Sequence, residues 1–467
     1  MPFGGGSMAG SILEQLQREL GDEVVIPGPQ VPEAMLQDWA GLPPTRPLAL
    51  LRPRDTEGVA RALALCHAAR VGVVPQGGLT GISGGAHPQA GCVSLSLQRL
   101  DRIEAVDPEA ATLTAGAGVI LATAQEAAAA AGMAVGVDIG ARASCTLGGV
   151  IATNAGGNTV IRYGMAREQV LGLEAVLADG TVIDAMRPLT KDNAGLDLKH
   201  LFIGSEGLLG VVTRCILRLH PAPGDSATAL CACPDFAAVA GLLRLARGAL
   251  GPALTSFEAM WPGFQRIMGP AAAAPPFFPP DGIAVIVESS GFGTRDAFEG
   301  LVIRAHEAGL VTDAVIAASV RDQRRIWALR ESVSEFSRVL GPIVPFDVSL
   351  PLRRMDATLA TIEAAAARDF PGARALVYGH IGDGNLHVVV ALPDPGDHKA
   401  ETRLKDLVYG LVRDAGGSIS AEHGIGAIKR PYLGHSRSPQ EIALMRGIKA
   451  LLDPHGIMNP GRSFAEG

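Results

Sequence analysis

Two histidines, His380 and His387, flank the acidic, glycine-rich turn in GHIGDGNLH (379 to 387). Imidazoles bind divalent metals and move protons near neutral pH, so their spacing has chemical meaning. On a helix this separation would put both on one face, but Gly379, Gly382 and Gly384 make a helix costly. The pattern predicts strand, tight turn, strand, because Asp383-Gly384 is a strong two-residue hairpin signal. With that turn Gly382 faces Asn385, Ile381 faces Leu386, and His380 faces His387. Directly opposed side chains are rooted about 5 Å apart, close enough for one metal ion to take both imidazoles. The pair could equally be a buried couple satisfied by backbone groups. These nine residues leave both readings open.

Glycine loops are the second chemical feature. PQGGLTGISGGA (75 to 86) offers bare backbone amides that can cradle phosphate oxygens. No Lys-Ser/Thr follows it, so it is not a nucleotide-hydrolysing phosphate loop, and no GxGxxG opens a helix after the first strand. VDIGARASCTLGGVIATNAGG (137 to 157) and GSEGLLGVVT (204 to 213) repeat the character. Small, hydroxyl-bearing residues dominate there, a surface on which a flat, extended, polar ligand could lie.

Such groups need elements to position them. DTEGVARALALCHAAR (55 to 70) predicts a helix capped by Asp55 or Thr56. VGVVPQGG is a short strand running into glycine, and CVSLSL (92 to 97) alternates as a half-buried strand. ILATAQEAAAAAG is a helix closed by Gly132, and LEAVLADGTVIDA (173 to 185) is a hairpin turning at Asp179-Gly180. A strand at 211 to 219 ends at HPAPGDS, a linker. Beyond it, strands near 227–233, 283–290, 311–317, 344–350, 375–380 and 386–392 alternate with helices near 235–248, 294–308, 321–340, 355–368 and 399–414. That succession predicts an antiparallel sheet backed by helices. GPAAAAPPFFPPDG (269 to 282) is a proline-rich loop, and SPQEIALMRGIKALLDPHGIMNPGR is one amphipathic helix with a Pro/Gly-rich tail.

The 467 residues are too many for one ordinary core, and 48% apolar content allows a large one. A net charge of -7 without a basic stripe argues against nucleic acid. The six cysteines are scattered without a CxxC pair, which fits reduced thiols in a cytoplasmic protein. No signal peptide and no uncharged apolar run long enough to span a membrane is expected; peripheral attachment stays open.

The ordered set PQGGLTG, TLGGVIATNAGG, GSEGLLGV, GHIGDGNLH, EHGIG and NPGR resembles the FAD-linked D-2-hydroxyacid dehydrogenases. These include D-lactate, D-2-hydroxyglutarate and glycolate dehydrogenases of the vanillyl-alcohol oxidase flavoprotein superfamily. The resemblance runs from residue 45 to 463, nearly the whole chain. It implies an α+β fold: a two-lobed FAD-binding domain at 1–225, a substrate domain with an antiparallel sheet at 226–420, and a segment at 421–467 returning to the FAD site. It implies that Pro75, Gln76, Gly77, Gly78, Leu79, Thr80 and Gly81 bind the FAD pyrophosphate. Asp138, Gly140, Ser144, Thr146, Gly148, Gly149, Asn154 and Gly157 would line the ribityl and isoalloxazine. Glu206, Gly207 and Val212 would reach the adenine side, and Asn459 would return to the flavin. Some superfamily members tether the flavin through a histidine in the first loop; Leu79 and Thr80 stand here without one, so FAD is expected to be non-covalent.

By the same resemblance His380, His387 and Glu422 are ligands of a divalent metal, zinc or manganese, and His423 is the general base. Two imidazoles and a carboxylate leave open positions at which a hydroxy acid can chelate. RRIWALRESVSEF (324 to 336) reads as a helix with Arg330 and Ser334 on one face. Hydroxyglutarate dehydrogenases use an Arg and a Thr in the matching places to bind substrate. With 34 Arg and 6 Lys in the chain, a surface ion pair is the plain alternative for Arg330. Two departures stand out. Pro345 replaces a lysine before the Asp of DVSLP, and Val389 replaces an asparagine after the second histidine. Both remove polar contacts to a dicarboxylate, so an apolar or small-tailed, D-lactate-like substrate is expected.

The expected activity is oxidation of D-2-hydroxy acids to 2-oxo acids. The rivals are D-2-hydroxyglutarate dehydrogenase, the flavin subunit of a glycolate oxidase-type complex, and a flavoenzyme of this fold with other chemistry. With no nicotinamide pattern, a quinone, cytochrome or electron-transferring flavoprotein is the expected acceptor; a homodimer stays open.

Overall fold

The computed structural model describes residues 7–270, 282–394 and 396–464. Most of the proline-rich loop at 269–282 lies outside the described residues. The chain divides into two compact units. The first comprises Met1–Gly157, Gly164–Ala222 and Glu422–Gly467, and the second comprises Asn158–Tyr163 and Pro223–Ala421. Among the described residues no helix is long and apolar enough to cross a membrane.

The first unit holds two sheets. Strands β1 (Val25–Pro27), β2 (Ala49–Leu51), β3 (Val73–Gln76) and β4 (Val93–Ser96) form one, ordered β1-β2-β4-β3. The β2–β4 and β3–β4 pairs are parallel. Because β4 is central, all four of its residues are buried, and the half-buried alternation read from CVSLSL is corrected: Ser94 and Ser96 lie on a covered second face. The helix Thr56–Ala69 starts where extended Asp55 accepts from Gly58 N at 2.8 Å, as its cap position predicts.

The second sheet of this unit is antiparallel. It contains β5 (Ile103–Asp107), β6 (Thr112–Gly116), β7 (Met133–Val135), β8 (Val170–Val176), β9 (Val182–Ala185) and β10 (Val211–Pro221). Its order is β5-β6-β10-β8-β9, with β7 on the end of β10. The expected hairpin joins β8 to β9: Leu177 N donates to Thr181 O at 2.9 Å, and Gly180 takes φ +88° at the turn.

The second unit is one seven-stranded sheet. Its strands are β11 (Ser226–Cys233), β12 (Leu254–Met260), β13 (Ile283–Ser290), β14 (Asp313–Ile316), β15 (Val344–Ser349), β16 (Arg374–His380) and β17 (Asn385–Ala391). The order is β14-β11-β13-β12-β16-β17-β15, every pair antiparallel. Six strands stand near the positions expected from the sequence. The central β12 was not foreseen: LTSFEAM is buried at every position and so shows no period of two. The helix expected at 321–340 is also corrected. It runs Val320–Glu331, gives way to a 3-10 turn at Ser332–Glu335, and resumes at Phe336–Leu340. Ser332 Oγ donates to Leu329 O at 2.6 Å, the local side-chain bond that competes with the helical ladder.

A buried ion pair anchors the C-terminal segment of the first unit. The helix Pro439–Leu452 begins with a Ser438–Glu441 capping box. Near its end Lys449 Nζ donates to Leu208 O at 2.9 Å, to Met458 O at 2.7 Å and to the Asp453 carboxylate. Asp453 in turn accepts from Ile457 N and Met458 N. Burial pulls the Lys449 ammonium below its usual range, and Asp453 opposes that pull. Asn459 follows directly and donates from its backbone to Val73 O at 2.8 Å. Replacing Lys449 with Met leaves a buried carboxylate without its cation. We expect a loss of about 3 kcal/mol, the usual scale for breaking a buried pair, read as a lower urea midpoint for the first unit.

Candidate functional site

The hairpin that carries the histidines is built differently from the two-residue turn expected. Tyr378, not His380, stands opposite His387, and Val377 opposite Val388. The strands are joined by a four-residue loop, Ile381 to Gly384, in which only Gly384 takes positive φ, at +86°. A two-residue type I′ turn needs positive φ at both central residues, and Asp383 does not supply it. The register shift is by two residues, so both histidines keep the same face of the sheet. They meet diagonally, with ring centroids 5.4 Å apart and planes at 79°.

His380 stands directly opposite Glu258 of β12. Its Nδ1 is 2.7 Å from Glu258 Oε1. The other oxygen, Oε2, accepts from Arg330 Nε at 2.8 Å. Glu258 is 1% exposed and Arg330 7%. Burial works against the Glu258 charge, but His380 and Arg330 outweigh it and hold the carboxyl below its usual range. Arg330 also lies over the Tyr378 ring at 4.5 Å, and its Nη2 is 3.2 Å from His380 Nε2. Arg330 is therefore no surface ion pair. The side chain of Ser334 lies outside the described residues.

His387 has a parallel arrangement. Its Nδ1 is 3.8 Å from Oδ1 of Asp347, the residue opposite it on β15. Asp347 is 1% exposed and also accepts from Asn385 Nδ2 at 2.9 Å and Ala421 N at 3.2 Å. Asn385 Oδ1 is buried with no partner among the described residues. Pro345 and Val389 face each other two residues along the same strands. Pro345 is exposed on the edge strand, where a missing N–H does no harm. Val389 packs into the core cluster with Leu376, Tyr378 and Phe336.

Glu258, Asp347 and Asn385 were not singled out from sequence. Each had a faint signal, since a carboxylate or amide inside an apolar run such as LTSFEAM or VPFDVS must be paired or functional. The donor set suits a divalent ion. In His380 the carboxylate on Nδ1 leaves Nε2 as the lone-pair nitrogen, the arrangement that orients imidazole ligands.

In the first unit the glycine loops press against one another. A Cβ on Gly77 would stand 2.4 Å from Thr146 Oγ1, and one on Gly78 only 2.0 Å from Ser144 O. Only bare backbone allows residues 75–81 and 144–149 to approach so closely. Thr146 caps the short helix Leu147–Ala152, which contains Gly148 and Gly149. Asp138 pairs with Arg142 at 2.9 Å, and burial pushes its carboxyl up. Its backbone oxygen lies against Gly157. Leu79 and Asn154 hold left-handed backbone at φ +57° and +50°. Beside Gly81 and Gly140 there is open space. Gln76 Oε1 and Asn459 Oδ1 are buried without partners among the described residues. Orphan buried acceptors in a unit built from glycine-rich loops fit a cofactor rich in hydroxyl, N–H and phosphate groups, as FAD is.

Three of the expected cofactor residues also make contacts within the unit. Asn154 Oδ1 accepts from Arg167 N at 2.9 Å. Val212 packs in the apolar core. The Glu206 carboxylate accepts from Ile425 N at 2.9 Å and Gly426 N at 2.7 Å, in the loop after His423. In the same unit Glu422 Oε1 accepts from Gly157 N at 2.8 Å, and the His423 carbonyl accepts from Ser83 Oγ.

All six cysteines are free. Burial pushes the Cys66 and Cys215 thiols up to about 12, so both are inert at neutral pH.

Comparison with known proteins agrees with this geometry. Residues 47–186 match the family described as FAD binding domain, and residues 222–463 match FAD linked oxidases, C-terminal domain. The chain is 38% identical to D-2-hydroxyglutarate dehydrogenase, mitochondrial, of Bos taurus, over 94% of this chain and 81% of the relative. It is 39% identical to D-2-hydroxyglutarate dehydrogenase of Xanthomonas citri, over 92% and 91%. It is 35% identical to a putative mitochondrial D-lactate dehydrogenase of Schizosaccharomyces pombe, over 91% and 83%. Among solved structures, p-cresol methylhydroxylase with substrate bound shares the fold at TM-score 0.79 and 16% identity, over 100% of this chain and 99% of that one. The 4-ethylphenol oxidase of Gulosibacter chungangensis does so at 0.76 and 16%, with the same coverage. The chain belongs to the FAD-linked D-2-hydroxyacid dehydrogenases of the vanillyl-alcohol oxidase flavoprotein superfamily.

Proposed function

We propose that this chain oxidises a small or apolar-tailed D-2-hydroxy acid, of the D-lactate type, with His423 as base and Arg330 as the partner of the substrate carboxylate. His380 and His387 are the proposed ligands of a divalent ion, zinc or manganese, and the family resemblance adds Glu422. The observation that carries the reading is the diagonal histidine pair: two imidazoles on one sheet face, each with a buried carboxylate behind Nδ1, beside a buried arginine. FAD, held non-covalently, supplies the acceptor for the carbinol hydride, and the ion supplies Lewis-acid polarisation of the hydroxyl.

The chain's residues do the rest. Glu258 keeps the proton of His380 on Nδ1 and fixes the ring. Arg330 gives its Nε to Glu258 and turns Nη2 toward His380, and the proposed partner of the substrate carboxylate is its remaining terminal N–H donors. Ser334 remains its proposed neighbour on the family resemblance. His423 takes the hydroxyl proton, which leaves the charge on the substrate oxygen and weakens the carbinol C–H bond toward loss of hydride. Residues 1–225 are the proposed FAD-binding part, 226–420 the substrate part, and 421–467 the segment returning to the flavin.

The Pro345–Val389 pair brings no charge to the face that holds His387, which supports an apolar or small tail. D-2-hydroxyglutarate is the second reading, favoured by the names of the relatives from cattle and Xanthomonas. A quinone, cytochrome or electron-transferring flavoprotein is the proposed acceptor. The cytosol is the proposed location on the free thiols, and the mitochondrial names of several relatives make that organelle its rival.

Three measurements test the proposal. Exhaustive chelation should slow turnover while FAD stays bound, and His380→Ala or Glu258→Gln should lower metal content by about tenfold or more. A metal-free preparation with full activity overturns the metal assignment. His423→Ala should keep FAD and metal and lose roughly a hundredfold in kcat; a rise in KM alone would make it a substrate-binding residue instead. In competition kinetics D-lactate or D-2-hydroxybutyrate should exceed D-2-hydroxyglutarate in kcat/KM, each buried methylene contributing about 0.8 kcal/mol. A tenfold preference for D-2-hydroxyglutarate refutes the reading of Pro345 and Val389.

A further inference from the structure

Within the first unit the backbone after His423 is held from both sides. Ser83, in the first glycine loop, donates from Oγ to the His423 carbonyl, and its own carbonyl accepts from Ala427 N at 2.9 Å and Ile428 N at 3.1 Å. Between these bonds the Glu206 carboxylate accepts from Ile425 N and Gly426 N, and from Ser463 Oγ at 3.1 Å. Ser463 N returns to Gly426 O at 2.8 Å. Every backbone group named in the span from His423 to Ile428 is thereby tied to residue 83, 206 or 463.

This clasp explains the spelling of EHGIG. A Cβ on Gly424 would stand 2.9 Å from Glu206 Cδ, and one on Gly426 would stand 2.2 Å from Ser83 O. Both glycines also take positive φ, +74° and +50°. Glu206 itself holds left-handed backbone at φ +52°. A non-glycine residue keeps that conformation only where its surroundings fix it, and such positions gather at functional sites. A glycine there would relieve the backbone and remove the carboxylate, so the conformation and the two amide contacts go together.

We propose that Glu206 and Ser83 are positioning residues: their clasp on residues 423–428 sets the aim of the His423 imidazole. The inference rests on the reading of His423 as the base. It also links the first glycine loop, which holds Ser83, to the group that moves the substrate proton. Catalytic groups need placement within a fraction of an ångström, and a loop rich in glycine has no stiffness of its own.

The test uses the FAD-loaded full-length protein under anaerobic conditions, with saturating substrate. Glu206→Gln keeps the size of the side chain but turns an N–H donor toward one of two backbone donors, and Ser83→Ala removes the other hold. Both variants should keep one FAD per chain and show flavin reduction slowed about tenfold, with the substrate concentration for half-maximal reduction within twofold. The solvent deuterium isotope effect on reduction should rise, because proton abstraction becomes the slower event; a loss of folded protein would not move it. Wild-type reduction by Glu206→Gln, beside a slow His423→Ala, overturns the clasp and leaves the base reading intact. Wild-type reduction by His423→Ala ends the base reading and the clasp together. If Glu206→Gln does not fold or loses FAD, Ser83→Ala decides: a wild-type rate and isotope effect in that variant overturn the proposal.

Discussion

A carboxylate removed from water stays charged only when cations or donors surround it, and the second unit is arranged around one such group. Glu258 sits on the central strand β12 at 1% exposure and has one oxygen for Arg330 and the other for His380. Loss of either partner would leave a buried charge unmatched, so the three residues are energetically one object. Much of the surrounding architecture follows from that. The helix Val320–Glu331 must deliver Arg330 over the sheet, and it ends one residue later, in a 3-10 turn. Tyr378 fills the space beneath the guanidinium and lies 4.8 Å from the His387 ring. The network thus reaches the second histidine without any direct hydrogen bond between the two imidazoles being required.

The first unit solves a different problem by subtraction. Its loops approach one another where a methyl group would collide, as at Gly78 with Ser144 and Gly426 with Ser83. Removing side chains brings backbone amides together and leaves polar acceptors such as Gln76 Oε1 and Asn459 Oδ1 facing inward. The loss of conformational entropy that glycine incurs is offset by fastening at a few points, the Lys449–Asp453 pair among them.

The sequence showed these two halves unequally. The β16–β17 hairpin announced itself by its Asp-Gly turn, and the helix Thr56–Ala69 by its cap at Asp55. The histidine pair was recognisable as two imidazoles on one face, because a two-residue shift of register preserves the face. Their true relation, diagonal rather than opposed, depended on the turn conformation at Asp383, which Asp-Gly alone does not determine. Strand β12 and its Glu258 were hidden because a strand covered on both sides has no periodic signal. Glu206 was legible as part of a glycine-rich motif, but its partners lie more than two hundred residues along the chain, beyond any local pattern.

The division of the chain has a consequence for biosynthesis. Apart from six residues, the second unit is one continuous stretch, Pro223–Ala421, while the first needs Glu422–Gly467 to be complete. On the ribosome the second unit can therefore collapse as soon as it clears the exit tunnel. The first must wait with its β3 edge open, since Met458 bridges to Val73 there and Asn459 N caps the Val73 carbonyl. Nascent chains whose residue 421 has just left the tunnel would carry a finished sheet and an unfinished cofactor cradle, the state in which a chaperone would meet them.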